Sequence, residues 1–446
     1  MIRGLFGIAL ALAGLLPLGA GVLFLTRTPF RVGLAVFTGM AAAIVLLPPL
    51  VYLGLSPSVP VVLALGVLAL VAGVLFGRPR WGGLHVEPLP LLVLAAPLVL
   101  LTARAAQKPV DQYDAFANWV LKAKLLYFDR SFLSASIAPP VHREYPLGLP
   151  SLEAYVLHAV GSANTRVLHV LFVVLLGGLA LVAWTVLRPH VATWPLTAGL
   201  SLLLWMPAAR DQALSAYADV PLACLFVSAV LLLASERIAL GTVFAAAALA
   251  TKRDAIAFLA VLYAVGFAAL LVRRERDRLR AWAISALCVV ASAVPWRVFD
   301  ATHNLRDRDV KPSLSNADQV GFVVGRMAHL ILERAYLWAL PLAAVAAVVM
   351  LVRGRDRQLA LGALALGAGL LAALVVVYVS GTTGVRYLVR STAERTLITP
   401  ALLAAALLPL LATRALDAPR PEESARTADR TPPRSPRRPR RGRRRR

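Results

Sequence analysis

The sequence predicts an all-α, polytopic membrane helix bundle. Hydrophobic residues fill 59% of the 446 positions and charged residues 16%, whereas soluble globular chains have about 45–50% apolar and about 25% charged residues. The mean hydropathy is +0.73. The apolar residues also form long blocks, and Val61–Phe76 and Val167–Leu187 contain no Asp, Glu, Lys or Arg. Because lipid offers no hydrogen-bond partners to the backbone, such blocks indicate membrane-spanning helices.

About thirteen apolar segments are predicted as membrane spans. The first is longer than the apolar core of a secretory signal, so it is predicted to be a retained helix. Two later segments are separated only by residues 252–254, and one interrupted helix is the alternative to two. The predicted spans are 3–25, 33–54, 59–77, 87–103, 166–187, 193–208, 219–234, 238–251, 255–272, 281–298, 336–352, 358–379 and 398–413.

Short arginine-rich loops set the expected orientation, since excess Lys and Arg marks the cytoplasmic side of a membrane protein. Placing 78–80, 273–280 and 353–357 on that side also puts the C-terminal tail there. The segment 104–165 then becomes a long first outer loop, which we expect to carry short amphipathic helices. The other segments expected on the outer face are 208–217, 252–254, 300–317 and 380–398.

The chain divides into three predicted parts: N-terminal spans in 1–84, a main membrane region in 85–413 and a tail in 414–446. The net charge of +24 is concentrated partly in this tail, which holds 13 arginines and 4 acidic residues. Its Arg/Pro-rich composition predicts disorder. We expect the tail to lie near anionic lipid in the cytoplasm, and we expect no nucleic-acid partner.

Polar residues suited to chemistry collect in the outer loop. Asp111 and Asp114 are three residues apart, so they share a face if the segment is helical. Trp119, Lys122 and Lys124 follow, and a carboxylate pair beside an aromatic ring and two lysines suits catalysis at a lipid-linked phosphate. The structural alternatives are that Asp114 caps the helix after it, or that the charges form a solvated face.

A longer pattern carries a family resemblance. It consists of Tyr-Asp-Ala at 113–115, Trp119, Lys-Ala-Lys at 122–124 and His-x-x-Tyr-Pro-Leu at 142–147. This pattern resembles bacterial integral-membrane glycosyltransferases of the GT-C superfamily, the protein-mannosyltransferase-like and lipid-A-glycosyltransferase-like enzymes that use polyprenyl-phosphate sugars. Further similar stretches lie at 217–221, 251–254 and 391–395, so that the resemblance runs from about residue 110 to 409.

The chain departs from that family at its N-terminus. In most such enzymes the catalytic acidic residue follows the first helix, whereas four predicted spans precede Asp114 here. The resemblance therefore leaves the first three spans without a role.

The resemblance implies an inverting sugar transfer at the outer face to a glycan, glycolipid or protein acceptor. Such a transfer needs a general base, and Asp114 stands at the matching Asp-Ala position, with Asp111 as runner-up or positioning partner. The departing phosphate needs cations, although each candidate could instead anchor a span end at the interface. The candidates for donor-phosphate binding are Lys122, Lys124, Lys252, Arg253, Arg386 and Arg395.

A further group of residues is predicted to bind the acceptor or to support the structure: Trp119, His142, Tyr145, Asp219 and Asp254. Asp219 and Asp254 each precede or begin a predicted helix, so helix capping is their alternative role. No His, Cys and carboxylate spacing matches a zinc site. Whether a divalent cation bridges Asp111 or Asp114 to phosphate stays open.

Two other functions compete with sugar transfer. A transporter or flippase of lipid-linked sugars would explain the bundle and the surface cations. Transporters, however, usually place their functional ionisable residues near the bilayer midplane, whereas here these residues collect at span ends. A non-catalytic scaffold anchored by its tail is the third possibility, and the spread of family-like motifs argues against it.

Overall fold

The computed structural model describes residues 2–83, 87–133, 142–305, 316–380 and 384–417. Within these ranges the chain is helical, and one isolated bridge between Phe30 and Trp81 is the extent of its β-structure. The predicted all-α membrane bundle is confirmed. The tail beyond residue 417 and a part of the outer loop lie outside the described residues.

The α-helices are α1 (Ile2–Leu25), α2 (Val32–Tyr52), α3 (Val59–Phe76), α4 (Pro88–Ala105), α5 (Leu121–Phe128), α6 (Gly148–Val160), α7 (Arg166–Leu187), α8 (Thr193–Trp205), α9 (Pro207–Ala213), α10 (Asp219–Ala234), α11 (Ile238–Thr251), α12 (Ala255–Arg273), α13 (Arg276–Ser292), α14 (Val294–His303), α15 (Val320–Ile331), α16 (Ala339–Val352), α17 (Arg357–Val379), α18 (Val385–Thr396) and α19 (Ile398–Leu416).

In the described ranges, nine helical segments are long and apolar enough to cross a membrane, and they match nine of the predicted spans. The other predicted spans form α8, α10, α11 and α16, which have 13 to 16 residues. At about 1.5 Å per residue these helices are roughly 20–24 Å long, less than the roughly 30 Å of hydrocarbon. α10 is buried along nearly its whole length, so we expect the polar residues at its ends to be recessed into the bundle.

The N-terminal helices pack with their backbones in contact. A Cβ atom on Gly19 of α1 would lie 1.7 Å from the carbonyl oxygen of Ala35 in α2, and one on Gly21 would lie 2.2 Å from the backbone of Ala69 in α3. Small residues allow this close approach between membrane helices. α2 also packs against α6, α7 and α11, which joins the N-terminal helices to the rest of the bundle.

The central layer consists of α7, α10, α11 and α19, and α12, α13, α16 and α17 pack around it. α11 ends at Thr251 because Lys252 has extended backbone angles (φ −153°, ψ 148°), and α12 begins at Ala255. The two predicted helices on either side of 252–254 are therefore separate. Their short connection lies at the same end of the bundle as the start of α10, since Lys252 contacts Asp219.

The segment expected to be a long outer loop carries two short α-helices, α5 and α6, which pack into the bundle. The segment Ala115–Val120 is a π-helix that leads into α5, and most of α5 is buried rather than lying on the membrane surface. α6 begins at Gly148, before Pro150, because the first turn of a helix does not need the N–H group that proline lacks. Both helices are thus part of the packed bundle.

Candidate functional site

Ionisable side chains from five separate parts of the sequence meet at one end of the bundle. They come from the start of the π-helix, the segment before α6, the start of α10, the connection between α11 and α12, and the end of α18. We call this group the polar cluster, and its members are Asp114, Glu144, Asp219, Lys252, Arg253, Asp254 and Arg395.

Asp114 and Arg395 form the closest contact between distant parts of the chain in the polar cluster. Nη1 of Arg395 donates to Oδ2 of Asp114 at 2.6 Å, across 281 positions of sequence. The guanidinium also stacks on the ring of Tyr217, 4.2 Å from its centroid. The Tyr217 hydroxyl in turn donates to Oε1 of Gln112 at 3.1 Å. Tyr217 therefore holds the arginine that orients Asp114, whose side chain keeps 34% of its surface exposed.

Lys252 lies between two carboxylates. Its Nζ atom is 2.7 Å from Asp219 and 2.9 Å from Asp254. Burial alone would lower the pKa of Lys252, but the two carboxylates outweigh it and hold the pKa well above its ordinary value. This trio joins the start of α10 to the turn between α11 and α12.

The three aspartates at helix starts do not act as caps. The side chains of Asp114, Asp219 and Asp254 accept no hydrogen bond from the backbone of the helices they begin or precede. Each of them pairs with a cation instead. The capping alternative is therefore not what these side chains do in this structure.

Lys122 is fully buried beneath the polar cluster. Its Nζ atom donates to the carbonyl oxygens of His142 and, at 3.4 Å, of Tyr145. It also lies 5.7 Å from the ring centroids of both Trp119 and Tyr145. Burial lowers the pKa of Lys122 to about 7, although the nearby carboxylates of Glu144 and Asp114 oppose this shift. These contacts fasten the segment before α6 to α5 and leave the ammonium no exposed surface.

The aromatic residues of the outer loop form a stack above this lysine. Tyr145 lies between Trp119, at a centroid distance of 5.4 Å, and His142, at 4.8 Å. Nδ1 of His142 is 3.3 Å from Glu144, which is also 3.6 Å from Arg253. Burial would raise the pKa of Glu144, but His142 and Arg253 lower it below its ordinary value.

Three predicted site residues lie apart from the polar cluster and from Lys122 and the aromatic stack beside it. Asp111 is exposed and accepts a hydrogen bond from the Gln112 side chain at 3.1 Å. Lys124 lies over the ring of Phe116, 5.6 Å from its centroid. Arg386 is exposed on α18 and donates to Gln319 at 3.2 Å.

Comparisons with protein-family models, with curated proteins and with solved structures find no match to the chain. In the described residues no group of three or more His, Cys, Asp or Glu side chains could hold a metal ion.

Sequence reasoning missed three residues of this site. Glu144 lies in the same run as His142 and Tyr145, and this position could have identified it as a site residue. Tyr217 begins the Tyr-Ala-Asp stretch of the family-like pattern, and Gln112 lies between Asp111 and Tyr113. No local pattern links Gln112 to Tyr217, because their hydrogen bond joins positions 105 residues apart.

Proposed function

We propose that this chain is a membrane-embedded glycosyltransferase that moves a sugar from a polyprenyl-phosphate donor to a hydroxyl group of a glycan, glycolipid or protein. The observation that carries the proposal is the ion pair between Asp114 and Arg395. It joins the two ends of the region that resembles GT-C enzymes, at the end of a membrane bundle. A lipid-linked donor would reach this position from the bilayer, and an acceptor would reach it from the aqueous side.

Asp114 is the proposed general base. Its Oδ2 atom is held by Arg395, and within the described residues its Oδ1 atom has no partner, so that oxygen can accept a proton. In the proposed step, the acceptor oxygen bonds to the anomeric carbon while the bond from that carbon to the phosphate oxygen breaks. The polyprenyl phosphate leaves with the bonding electron pair, and the hydroxyl proton passes to Asp114. Attack opposite the phosphate inverts the anomeric centre.

Arg253 is the proposed partner of the departing phosphate. Its side chain is 43% exposed, more than those of Lys252 and Arg395, and its contact with Glu144 at 3.6 Å is the longest ion pair of the polar cluster. A phosphate that binds this guanidinium therefore replaces only this long contact with Glu144. The planar fork of arginine matches two phosphate oxygens. Glu144 would then retain His142 as its partner. Lys122 is not proposed to bind the phosphate, because it is fully buried and donates to two backbone carbonyl oxygens.

The test is sugar transfer in proteoliposomes. Purified full-length protein would receive radiolabelled polyprenyl-phosphate sugars and a membrane extract as acceptor. We expect Asp114→Asn to reduce transfer by about 10²–10⁴-fold, the range attributed to a general base. The matched control is Asp211→Asn, which changes an exposed carboxylate in α9 that forms no ion pair within the described residues. Asp111→Asn, run alongside, tests the runner-up.

Two results would contradict the proposal in different ways. Transfer at the wild-type rate by a well-expressed Asp114→Asn variant would remove Asp114 as the base. No transfer from any donor, combined with movement of the lipid-linked sugar between the two leaflets, would identify a flippase instead.

A further inference from the structure

An apolar groove lies beside the polar cluster, between the N-terminal helices and the junction of α13 and α14. Its volume is about 310 Å³. Pro48, Pro49 and Tyr52 of α2 line one side, and Pro295 and Trp296 line the opposite side. The groove is therefore built partly by α2, which belongs to the N-terminal region that the family resemblance leaves without a role.

Prolines and aromatic rings give the groove its shape. Pro48 and Pro49 lie near the end of α2, where each removes one backbone hydrogen-bond donor, and Pro295 lies in the first turn of α14, where the missing N–H group is not needed. The ring of Tyr52 stacks on Phe299 of α14 at a centroid distance of 4.5 Å and lies 5.9 Å from the ring of Trp296. These contacts join α2 to α14 beside the groove.

Two arginines give this apolar groove a positive charge. Arg253 and Arg297 both line it. Arg297 is exposed and forms no ion pair within the described residues. An arginine near the hydrocarbon region is costly unless it is paired or bound to an anion. Charge complementarity therefore calls for a ligand with a long apolar chain and an anionic head, and the guanidinium fork suits a phosphate.

The groove is continuous with the polar cluster. Arg253 lines the groove and also contacts Glu144 of the cluster at 3.6 Å. The segment Pro146–Gly148 lines the groove as well, directly after Tyr145 of the aromatic stack. A headgroup bound by Arg253 would consequently lie beside the polar cluster while its chain extends away from it.

We infer that α2, α13 and α14 form a binding groove for the hydrocarbon chain of an isoprenyl phosphate, whose phosphate is held between Arg253 and Arg297. The inference rests on the proposed function, because this ligand is the lipid part of the proposed donor. It gives α2 a role in substrate binding.

The experiment measures equilibrium binding of a radiolabelled polyisoprenyl phosphate to the purified full-length protein in detergent. Val294→Trp would place a large ring in the groove, and Val298→Trp is its matched control one turn further along α14, outside the groove. The two valines are 52% and 56% exposed, so either ring should be tolerated by the fold. Arg297→Gln removes one phosphate donor, and Arg104→Gln is its control, an exposed arginine at the end of α4.

We expect Arg297→Gln to weaken binding about tenfold or more, the loss that follows removal of one charged hydrogen-bond donor. Val294→Trp should weaken binding of both the polyisoprenyl phosphate and the uncharged polyprenol, whereas Val298→Trp and Arg104→Gln should bind as the wild type does. Unchanged binding in Val294→Trp and Arg297→Gln would overturn the inference. So would equal competition by phosphatidylglycerol with the same dependence on the variants, since the groove would then hold a membrane phospholipid.

Failure of this inference is distinguishable from failure of the proposed function. If the groove variants lose binding but Asp114→Asn transfers sugar normally, the groove stands and the proposed base does not. If the groove variants transfer sugar and bind the lipid as the wild type does while Asp114→Asn is inactive, the enzyme stands and the groove does not.

Discussion

At the scale of single residues, the site depends on how charges are paired when the bundle forms. Asp219, Lys252 and Asp254 hold three helix ends together, whereas Asp114 is held by one arginine and stays partly exposed. Breaking a buried pair by removing one partner is strongly destabilising, because it leaves an uncompensated charge. The buried trio therefore supports the structure, and the partly exposed Asp114 is the carboxylate best placed for chemistry.

Lys122 is expected to stabilise the outer loop rather than to bind substrate. Lys122→Met would remove the ammonium that donates to the carbonyl oxygens of His142 and Tyr145, which we expect to lower the free energy of unfolding by about 2 kcal/mol. Hydrogen exchange of the amides in 142–147 should become faster, while donor affinity of the folded protein is retained. Lys124→Met is the control on the same helix. Weaker donor binding with unchanged exchange would contradict the structural role.

Glu153 makes the stability of the bundle depend on pH. It is fully buried in α6, both of its carboxylate oxygens lack partners in the described structure, and burial raises its pKa to about 8. Between the ordinary glutamate pKa of about 4.3 and this value, the folded chain holds a proton that the unfolded chain has lost. The contribution of Glu153 to stability is therefore complete at low pH and is lost as pH rises through this window, by about 1.4 kcal/mol for each pH unit.

Glu153→Gln isolates this effect, because glutamine cannot ionise. Thermal unfolding in detergent should give similar midpoints for wild type and variant near pH 5, and a higher midpoint for the variant at pH 8. Parallel curves across this range would show that the Glu153 carboxyl group is not buried.

At the scale of helices, glycines determine how closely the N-terminal helices pack. Gly19→Ala would place a methyl group against the Ala35 carbonyl oxygen, and such overpacking costs about 1–3 kcal/mol or more. Gly362→Ala in α17 meets no atom within 4 Å, and alanine is favoured over glycine in a helix by about 0.5–1 kcal/mol. Thermal unfolding should therefore show a lower midpoint for the first variant and an equal or higher one for the second. A neutral Gly19→Ala would mean that α1 and α2 are further apart.

The helices were predictable because a single property, a run of apolar residues, determines where most of them lie. Features that depend on tertiary packing are harder to predict from the sequence. α10 and α11 look like spans in sequence, yet they are too short to cross alone and depend on burial by their neighbours. Lys122 looked like a surface cation, but its carbonyl partners come from a segment 20 or more residues away. The Asp114–Arg395 pair has no signal in local spacing, because it forms only when the two ends of the region fold together.

At the scale of the whole molecule, the two ends of the bundle differ in charge. Arg278 bonds to Glu236 and Glu275, which brings the α10–α11 and α12–α13 connections together. Arg353 donates to the carbonyl oxygen of Ala415 at the end of α19, and α19 begins beside the polar cluster. The basic connections therefore lie at the end of the bundle opposite the polar cluster.

This asymmetry predicts which side of the membrane each end faces. Lys/Arg-rich short loops remain cytoplasmic, so the polar cluster should face outward, as the proposed transfer requires. Gln107→Cys and Asp277→Cys report on the two ends, since both positions are exposed. They would be made in a chain whose native cysteines are replaced by alanine. In intact cells a membrane-impermeant maleimide should label the cysteine at 107 and should reach the one at 277 only after permeabilisation. The reverse pattern would put the polar cluster in the cytoplasm, and the donor would then have to be used on that side.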